Sequence, residues 1–218
     1  MKNVFVYVLL IVMIAISCSK QINDNNSPGT GGGGSLTEAG YGASDKPFTS
    51  PAWSLPAGVE LKDSIHEYSY CWAFPPGVSV PPKDWKGIPS GFPFCFTLSN
   101  KTNGPITVPF PPDLVFISSS ALHQNVLVID LGTIQLPANA TITFVAQGFC
   151  LNEGRTIPQV YIDNTEKFLT YSFGPSQIPA ALKEITGIVE SKHIGMSDVT
   201  KEDGTVDNDK ASKYFAIQ

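Results

Sequence analysis

Four cysteines, at positions 18, 71, 95 and 150, carry most of the reactive chemistry available to this chain. Cys71 and Cys95 sit in stretches of the same style, each on the side opposite an alternating aromatic row. If the two stretches are strands that pair, one register places the sulfurs opposite each other at bonding distance. Bridges from either of them to Cys150 stay open as alternatives. The three histidines, His66, His123 and His193, are far apart in the sequence, and none stands beside a second ligand at metal spacing. No metal or other cofactor is expected. The nucleophile-elbow, zinc-protease, phosphate-loop and dinucleotide signatures are missing, and carboxylates are sparse in the central region, so no catalytic residues are assigned and the chain does not read as an enzyme. Trp85, in the loop PPKDWKGIP, is the best placed aromatic for contact with a ligand.

These residues must be positioned by a region rich in strand signals. Residues 64–74 alternate, with Tyr68, Tyr70, Trp72 and Phe74 on one side and Glu67, Ser69, Cys71 and Ala73 on the other. The bulky side is expected to face a core, although tyrosine and tryptophan also offer flat surfaces on which a sugar could stack. Phe92, Phe94, Phe96 and Leu98 repeat the pattern around Cys95. Further strands are expected at 105–110, 113–118, 124–131, 140–151, 158–163 and 167–173, separated by proline- and glycine-bearing turns. The fold class is mainly β, an antiparallel β-sandwich, immunoglobulin-like or related, with one or two C-terminal helices. Ile178, Ala181, Leu182, Ile185, Ile188 and Val189 recur at helical spacing. The acidic stretch that follows lacks the spacing of a calcium loop and reads as solvated. Lys210 to Gln218 has a second helical pattern whose apolar side is unfinished, as expected of a chain that continues.

The N-terminus has a different character. After Met-Lys-Asn, residues 4–16 run almost without a polar group, long enough for a secretory signal and too short to span a bilayer. The run ends in Ala15-Ile16-Ser17-Cys18 and resembles the lipobox of bacterial lipoproteins, with alanine where leucine is usual. The resemblance implies cleavage before Cys18 and attachment of lipid to its sulfur, so that lipid holds the protein at the membrane. The polar tract SKQINDNNSPGTGGGGS cannot bury enough surface to order itself, and from Ser19 to about Ser50 the chain is expected to serve as a tether of roughly 30 Å reach. The expected organisation is a signal over 1–17, lipidated cysteine and tether over 18–50, a β-sandwich over 51–174 and a helical segment over 175–218 that is cut short. Net charge is −5, which offers no basic patch for nucleic acid. The expected partners are the membrane, through the lipid, and a protein or glycan ligand. The expected location is the envelope of a Gram-negative, Bacteroides-like cell, in its outer membrane. Asp63-Ser64-Ile65 also matches the short O-glycosylation pattern of such bacteria.

With Cys18 lipidated and Cys71 bridged to Cys95, Cys150 is left over, and a free thiol in an exported protein calls for a reason. Phe149-Cys150-Leu151, a later helix and the terminal Ala216-Ile217-Gln218 resemble the thioester domains of bacterial surface adhesins. The resemblance covers about a third of the chain. It implies that the Cys150 thiol and the Gln218 amide condense, with loss of ammonia, into a thioester open to attack by an amine. Two function classes therefore stand beside each other: a lipid-anchored, non-catalytic binding or adhesion module, and a covalent adhesin. A glycan-binding or glycan-processing surface lipoprotein is the third.

Overall fold

The computed structural model describes residues 38–73, 84–87, 92–162, 165–192, 195–207 and 209–210. The signal, Cys18, most of the tether, Phe74, His193 and residues 211–218 with Gln218 lie outside the described residues. The fold is mainly β and antiparallel, sandwich-like, with one helix near the C-terminus. In chain order the elements are β1 (Val59–Leu61), β2 (His66–Glu67), α1 (Tyr68–Ala73), β3 (Phe92–Asn100), β4 (Ile106–Pro109), β5 (Asp113–Ser118), β6 (Val126–Ile129), β7 (Thr133–Leu136), β8 (Thr141–Cys150), β9 (Tyr171–Phe173) and α2 (Ala180–Glu190). A short 3-10 turn follows at Met196–Val199.

Seven strands form one sheet in the order β1-β3-β8-β6-β5-β9, with β2 also paired to β3. The long strand β8 organises it. Thr141 to Gly148 pair with β3, register Cys95 to Val145, whereas Phe149 and Cys150 pair with Leu127 and Val126 of β6. A strand shared between two neighbours in this way curls the sheet. Ile65 then bridges Tyr171, so β2 meets β9 and the curl closes upon itself. The β4–β7 pair covers the open side, and Val108, Phe110, Ile134 and Leu136 join the same core.

The alternation read from the sequence fills this core. Phe94, Phe96 and Leu98 point inward from β3 with no more than 1% of their surface exposed. The Phe96 ring meets Phe110, Phe116, Phe144 and Phe173 at centroid distances of 5.7–6.2 Å. Each buried ring removes a large apolar area from water, and edge-on contacts add to it. On β8, Gly148 faces inward where a Cβ would collide with Val126 Cγ1, so the narrowness of the curl requires glycine there.

Strands β5 and β6 are buried on both faces, which explains their unbroken apolar runs. Leu114, Phe116, Val126 and Val128 face the core; Val115, Leu127 and Ile129 face outward. Tyr41, Phe48 and the helix residues Ile178, Leu182 and Val189 cover that outward strip. The folded part therefore begins before residue 51, and the tether expected over 18–50 is shorter than its composition implied. Two isolated aromatics among polar residues, Tyr41 and Phe48, give no periodicity to read.

Other boundaries also move. The expected strand over 64–74 is two strand residues followed by the helix α1. The strands expected over 158–163 and 167–173 meet in a Tyr161–Phe168 bridge, and among their described residues only Tyr171–Phe173 is a strand. The short strands β1 and β7 were not expected. Helix α2 falls where its spacing placed it, yet Ile185 and Ile188 are each 58% exposed, so it buries a narrower stripe than its apolar residues suggest.

Candidate functional site

Cys71 and Cys95 form a disulfide across 6.3 Å between α-carbons. The pairing matches expectation, but the route differs. The residue opposite Cys95 in the ladder is His66, not Cys71. After Glu67 the chain turns into α1, which carries Cys71 back over β3. Cys95 is fully buried, and its sulfur lies 3.9 Å from the Glu67 carbonyl oxygen.

Cys150 ends β8, half-buried, and its sulfur is also in a disulfide; among the described residues no cysteine is free. The expectation of an unpaired thiol is corrected here. A sulfur so engaged has no thiol to condense with an amide, and Gln218 lies outside the described residues.

Trp85 is half-buried, its ring packed on Tyr68 at 5.1 Å. It is less open than its loop composition suggested. Because residues 68–73 are helical, Tyr68 and Tyr70 do not share a face as they would on a strand. Tyr70 instead joins an aromatic series that the sequence did not reveal. Tyr161, 41% exposed, stacks on Phe168 at 5.0 Å and 22°. Phe168 meets the edge of Tyr70 at 4.9 Å, and Tyr70 lies flat on His66 at 3.6 Å and 11°. The signal for Tyr161 and Phe168 was two aromatics flanking a polar turn, which marks a hairpin only once the cross-strand pair is known. His66 is 4% exposed and neither ring nitrogen has a hydrogen-bond partner. Burial lowers its pKa, opposed by Asp63 at 4.0 Å. The series can offer a flat apolar ring face at the surface, with the imidazole packed behind it.

His123 has a structural role. It is fully buried, with Nδ1 3.1 Å from Ser120 Oγ and Nε2 3.1 Å from the Gln159 amide nitrogen. The amide donates to Nε2, which leaves the ring proton on Nδ1 for the serine oxygen. Beside it, Asn152 Oδ1 accepts from the Asn125 backbone N–H at 2.7 Å, and its amide donates to the Gly40 carbonyl at 3.0 Å. With the Gly42–Asn152 bridge, these bonds pin the N-terminal arm to the end of β8.

Where α2 crosses the sheet, Asp113 is 4% exposed and its Oδ1 has no hydrogen-bond partner; the same holds for buried Oε1 of Glu190. Burial raises both pKa values, and the charges of Asp113 and Asp130 add to the rise at Glu190. A cleft of about 410 Å³ lies between the arm and the start of α2, lined in part by Glu38, Tyr41, Phe48, Gln177 and Pro179. The acidic loop is solvated, as read: Asp203 and Asp207 are held low by hydrogen bonds within their own loop, from Thr205 and from the Lys210 backbone. Among the described residues no three His, Cys, Asp or Glu side chains could hold a metal ion. Comparison of the chain with protein-family models, curated proteins and solved structures yields no match.

Proposed function

We propose that this is a lipid-anchored envelope protein, held in the outer membrane of a Gram-negative cell, whose β domain is a binding or adhesion module without catalysis. The observation that carries the reading is the apolar run over residues 4–16 ending in Ala15-Ile16-Ser17-Cys18 and followed at once by a glycine-rich tether. The pinned arm supports it. Residues 40–42 are bonded to the end of β8, so the tether joins the domain at that end. The opposite end carries the loops after β3 and before β8, joined by Asn100, whose amide reaches the Gly104 and Pro137 carbonyls at 2.8 and 3.0 Å.

Of the two ligand classes, the Tyr161 ring favours a glycan, because a sugar's apolar face stacks on an exposed aromatic ring supported from behind. With Cys71 and Cys95 bridged to each other, the lipid anchor at the Cys18 sulfur and an intrachain disulfide at Cys150 are competing readings, because only one bond to sulfur can be made at Cys18.

The test is metabolic labelling with an alkyne fatty acid in a Gram-negative host, together with membrane fractionation. Label and membrane retention that disappear in Cys18→Ala support the anchor; an unlabelled, soluble wild type sinks it. The intact mass of the unreduced domain, taken from Ser35, tests the chemistry separately. Loss of one ammonia, reversed by a small amine, would restore the covalent adhesin.

A further inference from the structure

Strand register gathers the ends of β5 and β8 and the starts of β3, β6 and β9 at one end of the domain. Val126, which opens β6, pairs with both Phe116 of β5 and Cys150, the last residue of β8. Ser118, the last of β5, pairs with Tyr171, and Phe92, the first of β3, pairs with Gly148. The arm arrives at the same end, where the Gly40 carbonyl accepts from the amides of Asn125 and Asn152. Two large apolar side chains exposed on the described surface, Leu122 at 64% and Tyr161 at 41%, belong to loops of this end. A lone exposed leucine needs no explanation, but this one is fixed in place. The Ser120 carbonyl accepts from the His123 N–H at 3.1 Å, both residues are buried, and the turn between them holds Leu122 outward. The Thr156 N–H donates to the Leu122 carbonyl at 2.8 Å, which ties this turn to the segment leading to Tyr161. Charges on the same loops have both signs, Lys46, Arg155 and Lys167 beside Asp45, Glu153 and Glu166.

We propose that this end lies on the membrane that holds the Cys18 lipid, where Tyr161 stacks on a sugar of a glycolipid headgroup and Leu122 rests on the apolar surface of the same headgroup. The glycan reading of Tyr161 and the anchor at Cys18 underlie this, and what is added is the source of the sugar, the anchor's own membrane. One exposed ring, backed by Phe168 and Tyr70, makes a weak site, because a single aromatic contact supplies only a small part of what tight capture of a soluble ligand requires. A ligand held in the same membrane is presented at an effective concentration of about millimolar, at which a weak site fills. The tether fits this placement: the roughly twenty residues between Cys18 and Gly40 reach roughly 25 Å, enough to let this end meet the headgroups. The tether alone does not orient the domain; the ring and the leucine do. With both signs of charge present, no cationic patch draws this end to bare anionic lipid, so recognition falls to the apolar faces of sugars.

The experiment is hydroxyl-radical footprinting of the full chain on nanodiscs, read residue by residue by mass spectrometry. Three arms are compared: phosphatidylethanolamine and phosphatidylglycerol alone, the same lipids with rough lipopolysaccharide, and the same lipids with the oligosaccharide released from that lipopolysaccharide at matched concentration. With lipopolysaccharide in the disc, oxidation of Tyr161 and Leu122 should fall by about half or more, the occupancy expected where the effective concentration and the dissociation constant are both about millimolar. Released sugar at the matched concentration should leave both rates unchanged. Tyr161→Ala should abolish the protection of Leu122, and Leu122→Ser should weaken that of Tyr161, while Phe96 stays unreactive in each folded variant. Equal protection on plain lipid overturns the proposal in favour of a bare bilayer contact. Equal protection by the released sugar overturns the membrane source and leaves the glycan reading standing. No protection in any arm, even with the released sugar in large excess, overturns both. A chain that does not stay with the discs overturns the proposal through its anchor.

Discussion

Ile65 and Tyr171 exchange both backbone hydrogen bonds, at 3.1 and 2.7 Å, and this single bridge joins β2 to β9. Ile65 is fully buried at the seam, with its side chain in the main core. Replacing it with alanine removes buried methyl groups and leaves a cavity at the seam. Ile65→Ala should lose about 2–5 kcal/mol of unfolding free energy, read from the urea midpoint at constant slope. A loss below about 1 kcal/mol would mean that the seam repacks freely.

The Cys71–Cys95 disulfide closes a loop with a sequence separation of 24. By the loop-entropy relation, its removal should cost about 3 kcal/mol. The double variant Cys71→Ser, Cys95→Ser should show that loss in chemical denaturation while keeping its far-ultraviolet circular dichroism.

Asn152 is 2% exposed; its amide nitrogen donates to the Gly40 carbonyl of the arm, and its Oδ1 accepts from the Asn125 N–H before β6. Asn152→Ala leaves the buried Asn125 N–H without its acceptor, at a cost of about 1–3 kcal/mol. The arm should loosen before the barrel does. Chymotrypsin should cleave after Phe48 faster in the variant, with the melting temperature only modestly lowered. Equal cleavage rates would show that Tyr41 and Phe48 hold the arm without the polar bonds.

His66 sets an acid limit on stability. Burial lowers its pKa, so around its ordinary value of 6.5 the unfolded chain binds more protons there than the folded one. The stability it contributes is present above that value and is lost as pH falls toward the lowered one. Glu67, Asp113 and Glu190, whose pKa values are raised, act in the opposite sense and lose their contribution as pH rises. His66→Phe keeps a ring on Tyr70 and removes the titration. The stability difference between wild type and variant should therefore shift in the variant's favour as pH falls from 7 to 5. A difference independent of pH would place the imidazole in contact with water.

The sequence by itself determined the antiparallel β class, the inward face of β3 and the position of α2. Each rests on a local repeat: alternation along a half-buried strand, 3.6-residue spacing along a helix. It offered the Cys71–Cys95 pairing as one of three, and the helix that carries Cys71 back over β3 decides it. It also carries the stretch Ala15-Ile16-Ser17-Cys18 that resembles a lipobox, on which the proposed anchor rests. What only the tertiary structure decided is where those repeats stop and what covers them. Tyr68 to Ala73 alternate like a strand yet coil, and the ladder that β2 makes with β3 stops at Glu67 opposite Phe94. Tyr161 and Phe168 become neighbours through a hairpin contact between non-consecutive residues. Asp113 looks like an ordinary strand-start carboxylate until α2 returns across it from nearly seventy residues later. Burial of a polar group is set by partners distant in the chain, and no local pattern records them.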